Sequence, residues 1–325
     1  MINQINFGNH AVFIDKKYLK GVQDTSMSTS YDVSQLNQQA VLNPRVLYKK
    51  PTVDLNITRF LSNNSEPFII TGSSNVPAGS GQLIQYYKMA GWESNFKKYD
   101  FEIAITKEDS DRVLPTGTSL LCRDTILQSI SYKFETEGYF TESLTFAGHS
   151  VIAGTGNANI FTSGNDTGSV KRRSDFKTES CILPSEVTEL LKLGSNRILK
   201  SVNINIGINW SELPNIGFMN TYKGKYMTLP LDITTNITVL DQGYYQASGN
   251  NKTLGIIGDD IYTNISGIPN RPIKIYAGNF IYDLGSGNYI TQKGREGASA
   301  GDSAGYTTYT FTYKNSNNYV KILRE

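Results

Sequence analysis

His10 and His149 are the only histidines in 325 residues, and neither stands at a metal-ligand spacing from Cys, Asp or Glu. A histidine-based zinc site is therefore not expected. Gly301-Asp302-Ser303-Ala304-Gly305 matches the G-x-S-x-G elbow of serine hydrolases. That elbow needs a strand before the serine, a helix after it, and then an acid and a histidine further along the chain. Here a Gly/Ala/Ser stretch precedes the serine, an alternating strand pattern follows, and no histidine lies downstream. The match reads as a small-residue loop. Asp109/Asp111 and Asp259/Asp260 lack the alternating ligands and closing Glu of a calcium loop, and read as solvated turns. Gly79-Ser80-Gly81, Gly154-Thr155-Gly156 and Gly285-Ser286-Gly287 lack the spacing of phosphate-binding glycines. Lys171-Arg172-Arg173, the densest basic cluster, reads as a solvated strand start or a contact for an acidic neighbour. Cys122 and Cys181 read as free thiols of a reducing compartment, with a single disulfide between them as the alternative. The sequence thus predicts no catalytic residue, no metal, no cofactor and no enzymatic activity.

Bulk properties point the same way. Thirty-one Lys and Arg against 29 Asp and Glu leave a formal charge of +2, which is no basis for gripping nucleic acid. Charged residues are only 18% of the chain, and neutral Asn, Ser, Thr and Gly supply much of its polarity. Twenty Tyr against two Trp suit a strand-rich protein with broad, polar-edged surfaces. The opening MINQINFGNH has neither a basic n-region nor an apolar core, and no later run is apolar for about 18 residues. The expectation is a soluble product made in the cytoplasm.

The elements that position these residues are strands, because the dominant pattern has period 2. Val202, Ile204, Ile206, Ile208 and Trp210 share one face of a segment whose other face carries Asn203, Asn205, Gly207 and Asn209. From Met227 to Val239, apolar Leu229, Leu231, Ile233, Ile237 and Val239 oppose Asp232, Thr234, Asn236 and Thr238. Earlier, Ser26, Ser28 and Ser30 alternate with Thr25, Met27, Thr29 and Tyr31, while Val53, Leu55 and Ile57 alternate with Asp54, Asn56 and Thr58. Further strands are predicted at Tyr99–Ile105, Ile126–Phe134, Phe140–Phe146, Ile273–Tyr282 and Tyr306–Tyr313, with a hairpin turn at Glu137-Gly138. One helix is predicted over Glu186–Lys192, capped by Ser185 and closed by Gly194. The fold class is all-β with that single short helix. Two long hairpins, at about 20–61 and 197–240, echo each other as strand, connector, proline and strand. They read as two similar hairpins of one domain, or as an old duplication, with residues 241–325 as a C-terminal extension.

The segment Arg172 to Val187, with its paired arginines and Leu183-Pro184-Ser185-Glu186-Val187 turn, resembles one found in bacteriophage virion proteins. Leu199 to Leu213, the Tyr/Gly-rich connector and Leu229-Pro230-Leu231-Asp232-Ile233-Thr234 follow in the same order. Upstream, Ile126–Phe134 and Gly138–Gly148 are similar to the hairpin carried by many phage tail tube subunits. The resemblance covers roughly 21–61 and 120–240; the run of acidic and basic residues after the first strand is missing, and nothing after Asp241 matches.

That resemblance implies a tail-tube-like β-sandwich whose long hairpins close, between subunits, into a ring barrel. It further implies homo-oligomeric rings, hexamers in that family, stacked in the tail of a virion and joined to other tail proteins. Phage DNA would pass through them transiently and without specificity, and no membrane would be involved. Ser26, Ser28, Ser30, Asp54, Asn56, Thr58, Asn203, Asn205, Asn209, Asp232, Thr234, Asn236 and Thr238 would line the lumen. Duplex DNA carries one charge per roughly 1.7 Å, so a Lys/Arg lining would hold it, whereas a neutral one lets it slide. A plain sandwich with one solvated face would alternate identically. Alternative readings are a baseplate hub, a tail terminator, a capsid decoration protein, or a carbohydrate-binding β-sandwich.

Overall fold

The computed structural model describes residues 10–15, 17–19, 21–31, 33–36, 45–48, 51–61, 67–68, 81–82, 98–105, 118–135, 139–148, 150–154, 187–188, 197–212, 225–241, 273–296, 307–317 and 320–324. Among them the regular structure is β. In chain order the strands are β1 (His10–Ile14), β2 (Lys17–Tyr18), β3 (Val22–Ser30), β4 (Val33–Leu36), β5 (Arg45–Tyr48), β6 (Thr52–Phe60) and β7 (Gly81–Gln82). There follow β8 (Tyr99–Ile105), β9 (Thr118–Glu135), β10 (Thr141–Gly148), β11 (Ser150–Gly154), β12 (Val187–Thr188), β13 (Arg197–Glu212) and β14 (Lys225–Asp241). The last are β15 (Lys274–Ala277), β16 (Phe280–Asp283), β17 (Asn288–Glu296), β18 (Thr307–Asn315) and β19 (Lys321–Arg324).

The large sheet runs β17-β18-β14-β13-β9-β10-β6-β3, every neighbour antiparallel. Strand β9 serves two layers. Its second half pairs with β10 and β13, while its first half pairs with β8 and β11. The change falls at Asp124, which has a positive φ of 53°. A smaller sheet, β12-β15-β16-β19-β7, forms separately, and β4 pairs with β5 at the far end of the first long hairpin.

Alternation does what the sequence pattern demands. Val202, Ile204, Ile206 and Ile208 are buried, as are Val53, Leu55 and Ile57, and each such side chain contributes about 1.5–3 kcal/mol by leaving water. Their neighbours in the core come from both other layers. Phe101 and Tyr99 of β8 meet Phe146 of β10 at ring-centroid distances of 4.4 and 5.6 Å. Tyr282 of β16 meets Tyr132 and Phe134 of β9 at 5.0 and 5.1 Å. Residues beyond 241 therefore supply two strands to the large sheet and three to the small one, with Tyr309, Phe311 and Tyr313 in the same core.

Among the described residues, a buried ion pair interrupts this apolar interior. Arg59 Nε donates to Glu142 Oε2 across the β6–β10 pair, both side chains fully buried, and Phe68 N donates to Glu142 Oε1 at 2.7 Å. The hydroxyls of Tyr132 and Tyr282 are buried near them, without hydrogen bonds of ordinary geometry among the described residues. Burial first, and then the Glu142 carboxylate, raise both phenols well above 10.

A second polar knot holds the corner where β16 leads into β17. Asn315 Nδ2 donates to Leu284 O at 2.7 Å and to Asn288 Oδ1 at 2.9 Å, and Asn288 Nδ2 donates to Gly285 O at 2.8 Å.

Several expectations need correction. Val187 and Thr188, assigned to a helix, are strand β12 and pair with Ala277 and Tyr276; both are β-branched residues that suit a sheet edge. The rest of Glu186–Lys192 lies outside the described residues. Ile273–Tyr282, read as one strand, is the hairpin β15–β16, because Gly278 takes a positive φ of 59° and lets Ala277 pair with Phe280. Leu229, assigned to the apolar face, is 56% exposed: Leu229, Pro230 and Leu231 stand against Ile208 alone between the Gly207–Asp232 and Asn209–Thr228 pairs, and the irregularity turns Leu229 outward while Leu231 stays buried. Thr235 is buried in line with the apolar residues instead.

Candidate functional site: the polar face of the large sheet

The face of the large sheet turned away from the core is a continuous field of hydroxyls and amides. Because paired residues of antiparallel strands point the same way, the register can be read as rows. One row runs Asp24, Thr58, Ser143, Ser131, Asn205, Thr234, Lys314 and Tyr289, crossing all eight strands from β3 to β17. A second runs Ser26, Asn56, Thr145, Ser129, Gly207 and Asp232. A third runs Thr141, Lys133, Asn203, Asn236, Thr312 and Gln292.

Side chains tie these rows together. Asn56 donates to Ser26 at 3.4 Å, Thr58 and Ser143 share a hydrogen bond of 3.2 Å, and Ser131 donates to Asn203 and Asn205 at 3.1 and 2.8 Å. Thr238 and Thr310 close the set at 3.3 Å. Such bonds hold neutral groups to one another, so the face offers a passing ligand donors and acceptors but no preformed pocket of charge.

Among the described residues Lys133 and Lys314 stand on this face and Lys200 is exposed at the β13 bulge, and the polar runs picked out from the sequence contained none of them. Lys133 lies 2.8 Å from Glu135, and Lys314 lies 3.7 Å from Asp232. With Asp24 and Asp54 also on the face, described carboxylates outnumber ammonium groups there.

The expected lining residues fall together. Ser26, Ser28 and Ser30 of β3, Asp54, Asn56 and Thr58 of β6, Asn203 and Asn205 of β13, and Asp232, Thr234, Asn236 and Thr238 of β14 all occupy the polar face. Asn209 is exposed but lies past the β14 bulge, opposite Thr228 and outside the rows. The two long hairpins are not adjacent, however: the β9–β10 hairpin sits between them, adding Ser129, Ser131, Thr141, Ser143 and Thr145. Strand β18 adds Thr308, Thr310 and Thr312. The T-x-T-x-T spacing of those threonines was visible in the sequence, and only their neighbourhood was not.

Elsewhere, chemistry is sparse. Cys122 is a free, buried thiol that donates to the Met27 sulfur at 3.3 Å, and burial pushes it up to about 11. Glu102 is buried with Oε1 lacking a hydrogen bond among the described residues, and burial raises its carboxyl. No group of three or more His, Cys, Asp or Glu among the described residues could hold a metal. His149, Asp109/Asp111, Lys171–Arg173, Cys181, Asp259/Asp260 and Gly301–Gly305 lie outside the described residues, as does the side chain of His10.

No protein-family model matches the chain, and no curated protein does. Among solved structures it is similar to the tube terminating cap of the anti-feeding prophage, at 12% identity and TM-score 0.35, over 48% of this chain and 93% of that one. It is similar to a chain of the PVC extracellular contractile injection system sheath-tube complex, at 12% identity and TM-score 0.33, over 48% and 94%. It is also similar to Hcp1 from Flavobacterium johnsoniae, at 17% identity and TM-score 0.25, over 45% and 95%.

Proposed function

We propose that this chain is a non-enzymatic structural subunit of a bacteriophage tail tube, assembling with its own kind into stacked rings whose bore conducts DNA. The observation that carries this reading is the polar face itself. Among the described residues it spans eight strands, most of its donors and acceptors are neutral hydroxyls and amides, and Lys133 and Lys314 each stand beside a carboxylate. A wall of this kind forms no array of phosphate contacts, so a duplex gains little counterion-release free energy by stopping on it. The sheet has two ends, β3 and β17, each paired on one side only among the described residues. Closing those ends between copies removes the edges and turns the polar face inward. The order of segments from Gly21 to Leu240, which resembles that of tail tube subunits, supports the same reading. The partners are further copies of this chain and neighbouring tail proteins, and the place of action is the virion.

Two measurements test it. Purified protein should form hollow rods or rings in negative stain; monomers at all concentrations would overturn the reading. Asn205→Lys with Asn236→Lys should leave assembly intact and lower DNA delivery at least tenfold, since two unmatched cations per subunit would repeat around every ring. Unchanged delivery by such particles would remove the conduit role.

A further inference from the structure

The large sheet repeats itself. Its first four chain-ordered strands, β3, β6, β9 and β10, lie in the spatial order first-second-fourth-third. The next four, β13, β14, β17 and β18, lie in that order again, directly beside the first set. Register makes the correspondence residue by residue. Asn56-Ile57-Thr58 of β6 matches Asn236-Ile237-Thr238 of β14, so that Ser26 corresponds to Asn203. In both halves the first strand carries one extra residue at the same place: Gln23 between Val22 and Asp24, Lys200 between Leu199 and Ser201. In both halves the third strand does too: Gln128 opposite the Thr145/Phe146 step, Thr291 opposite the corresponding Thr312/Tyr313 step. Bulges bend and twist a strand and are conserved features of a fold, so two coincident bulges are hard to reach by independent routes.

We infer that the chain is a tandem duplication of one four-strand unit, and that its internal seam is the template for the joint between copies, three of which close one ring. This rests on the ring reading above. At the seam, the third strand of the first unit (β9) pairs antiparallel with the first strand of the second (β13), with Lys133 opposite Asn203, Ser131 opposite Asn205 and Ser129 opposite Gly207. Carrying that register onto the open ends pairs β17 of one copy with β3 of the next. Glu296 then faces Ser26, Gly294 faces Ser28 and Gln292 faces Ser30. Both end strands are nine residues long, and β3 is exposed at Gln23, Asp24, Ser26, Ser28, Thr29 and Ser30. Because the path holds eight alternating strands, β17 and β3 run in opposite directions. The joint is therefore antiparallel, like every other pair in the wall.

Geometry sets the number of copies. Strands lie about 4.8 Å apart and tilt by roughly 40° in barrels, so each takes about 6.3 Å of circumference. Two copies would close sixteen strands at a backbone diameter of about 32 Å, the size of a porin. Three copies give about 48 Å, and six give about 96 Å. Side chains take about 5 Å from each wall, half the spacing of packed sheets, leaving roughly 38 Å in the three-copy ring. That is the smallest ring to pass a duplex roughly 20 Å wide together with its water and ions.

The test combines stoichiometry with register. Ser28→Cys with Gly294→Cys is placed in the full chain, rings are assembled, and a short bismaleimide is added. A Cβ at Gly294 meets nothing nearer than 3.9 Å, so the substitution is sterically mild. The expected result is a covalent ladder that stops at three chains, absent from the parent chain and from each single variant. Native mass spectra should give rings of three times 36.0 kDa, and end-on averages should be three-fold with six similar lobes. A ladder or mass reaching six copies overturns the inference and leaves the conduit standing. Three-copy rings that never cross-link overturn the β17–β3 joint. Failure to form rings at all removes both.

Discussion

The two halves of the large sheet share an outline and differ in what they bury. At the position where β6 and β10 place the Arg59–Glu142 ion pair, β14 and β18 place Val239 and Tyr309. Both solutions are buried, so the architecture does not require a charged pair there. Apolar replacements of a buried ion pair are often neutral or stabilising, whereas half a pair is costly. The comparison teaches that the first half carries a charge pair for reasons of its own surroundings. It lies beside Phe68 N and the buried hydroxyls of Tyr132 and Tyr282.

The sharpest way to break this comparison is to remove one partner. Glu142→Gln or Arg59→Met should each lower unfolding free energy by about 3–5 kcal/mol, read from denaturant midpoints at unchanged slope. Arg59→Val with Glu142→Tyr installs the second half's solution in the first and should cost clearly less than either single change. Equal costs would mean that the halves are not interchangeable at this level.

A smaller effect is expected at the entrance to the first strand. Gly21 has a φ of 77°, and a Cβ there would lie 2.5 Å from Phe60 O, whereas the corresponding residue of the second half is Ile198, paired with Leu240. Gly21→Ala should therefore destabilise by about 1–3 kcal/mol. A neutral result would show that the first strand can start as the second-half strand does. The smallest effect concerns the lysines of the polar face. Each half contributes an ion pair open to solvent, Lys133 with Glu135 and Lys314 with Asp232. Lys133→Gln and Lys314→Gln should each change stability by less than about 1 kcal/mol, with the difference shrinking further in high salt.

Much of the wall was legible from residue types. Strand β8 has the bounds its pattern implied, and the inward side of β13 is the run Val202, Ile204, Ile206, Ile208. Period 2 is a local property, written along each strand, so faces could be assigned without knowing neighbours. Which strands stand side by side is non-local. Nothing in Thr307–Asn315 announces that it lies against β14. The proposed repeat is legible only as the echo of the two long hairpins, because outside Asn-Ile-Thr its two units share register and bulges more than residues. Val187 and Thr188 depart from the helix reading because capping residues favour a helix only when tertiary pairing does not offer β-branched residues an edge.

In the proposed ring, the asparagine clasp at the start of β17 prepares an edge for its neighbour. Asn288 and Asn315 hold the turn and the first residues of that strand in one arrangement before any neighbour arrives. An edge ordered in advance gives up little conformational freedom on docking, so its backbone hydrogen bonds translate more fully into affinity.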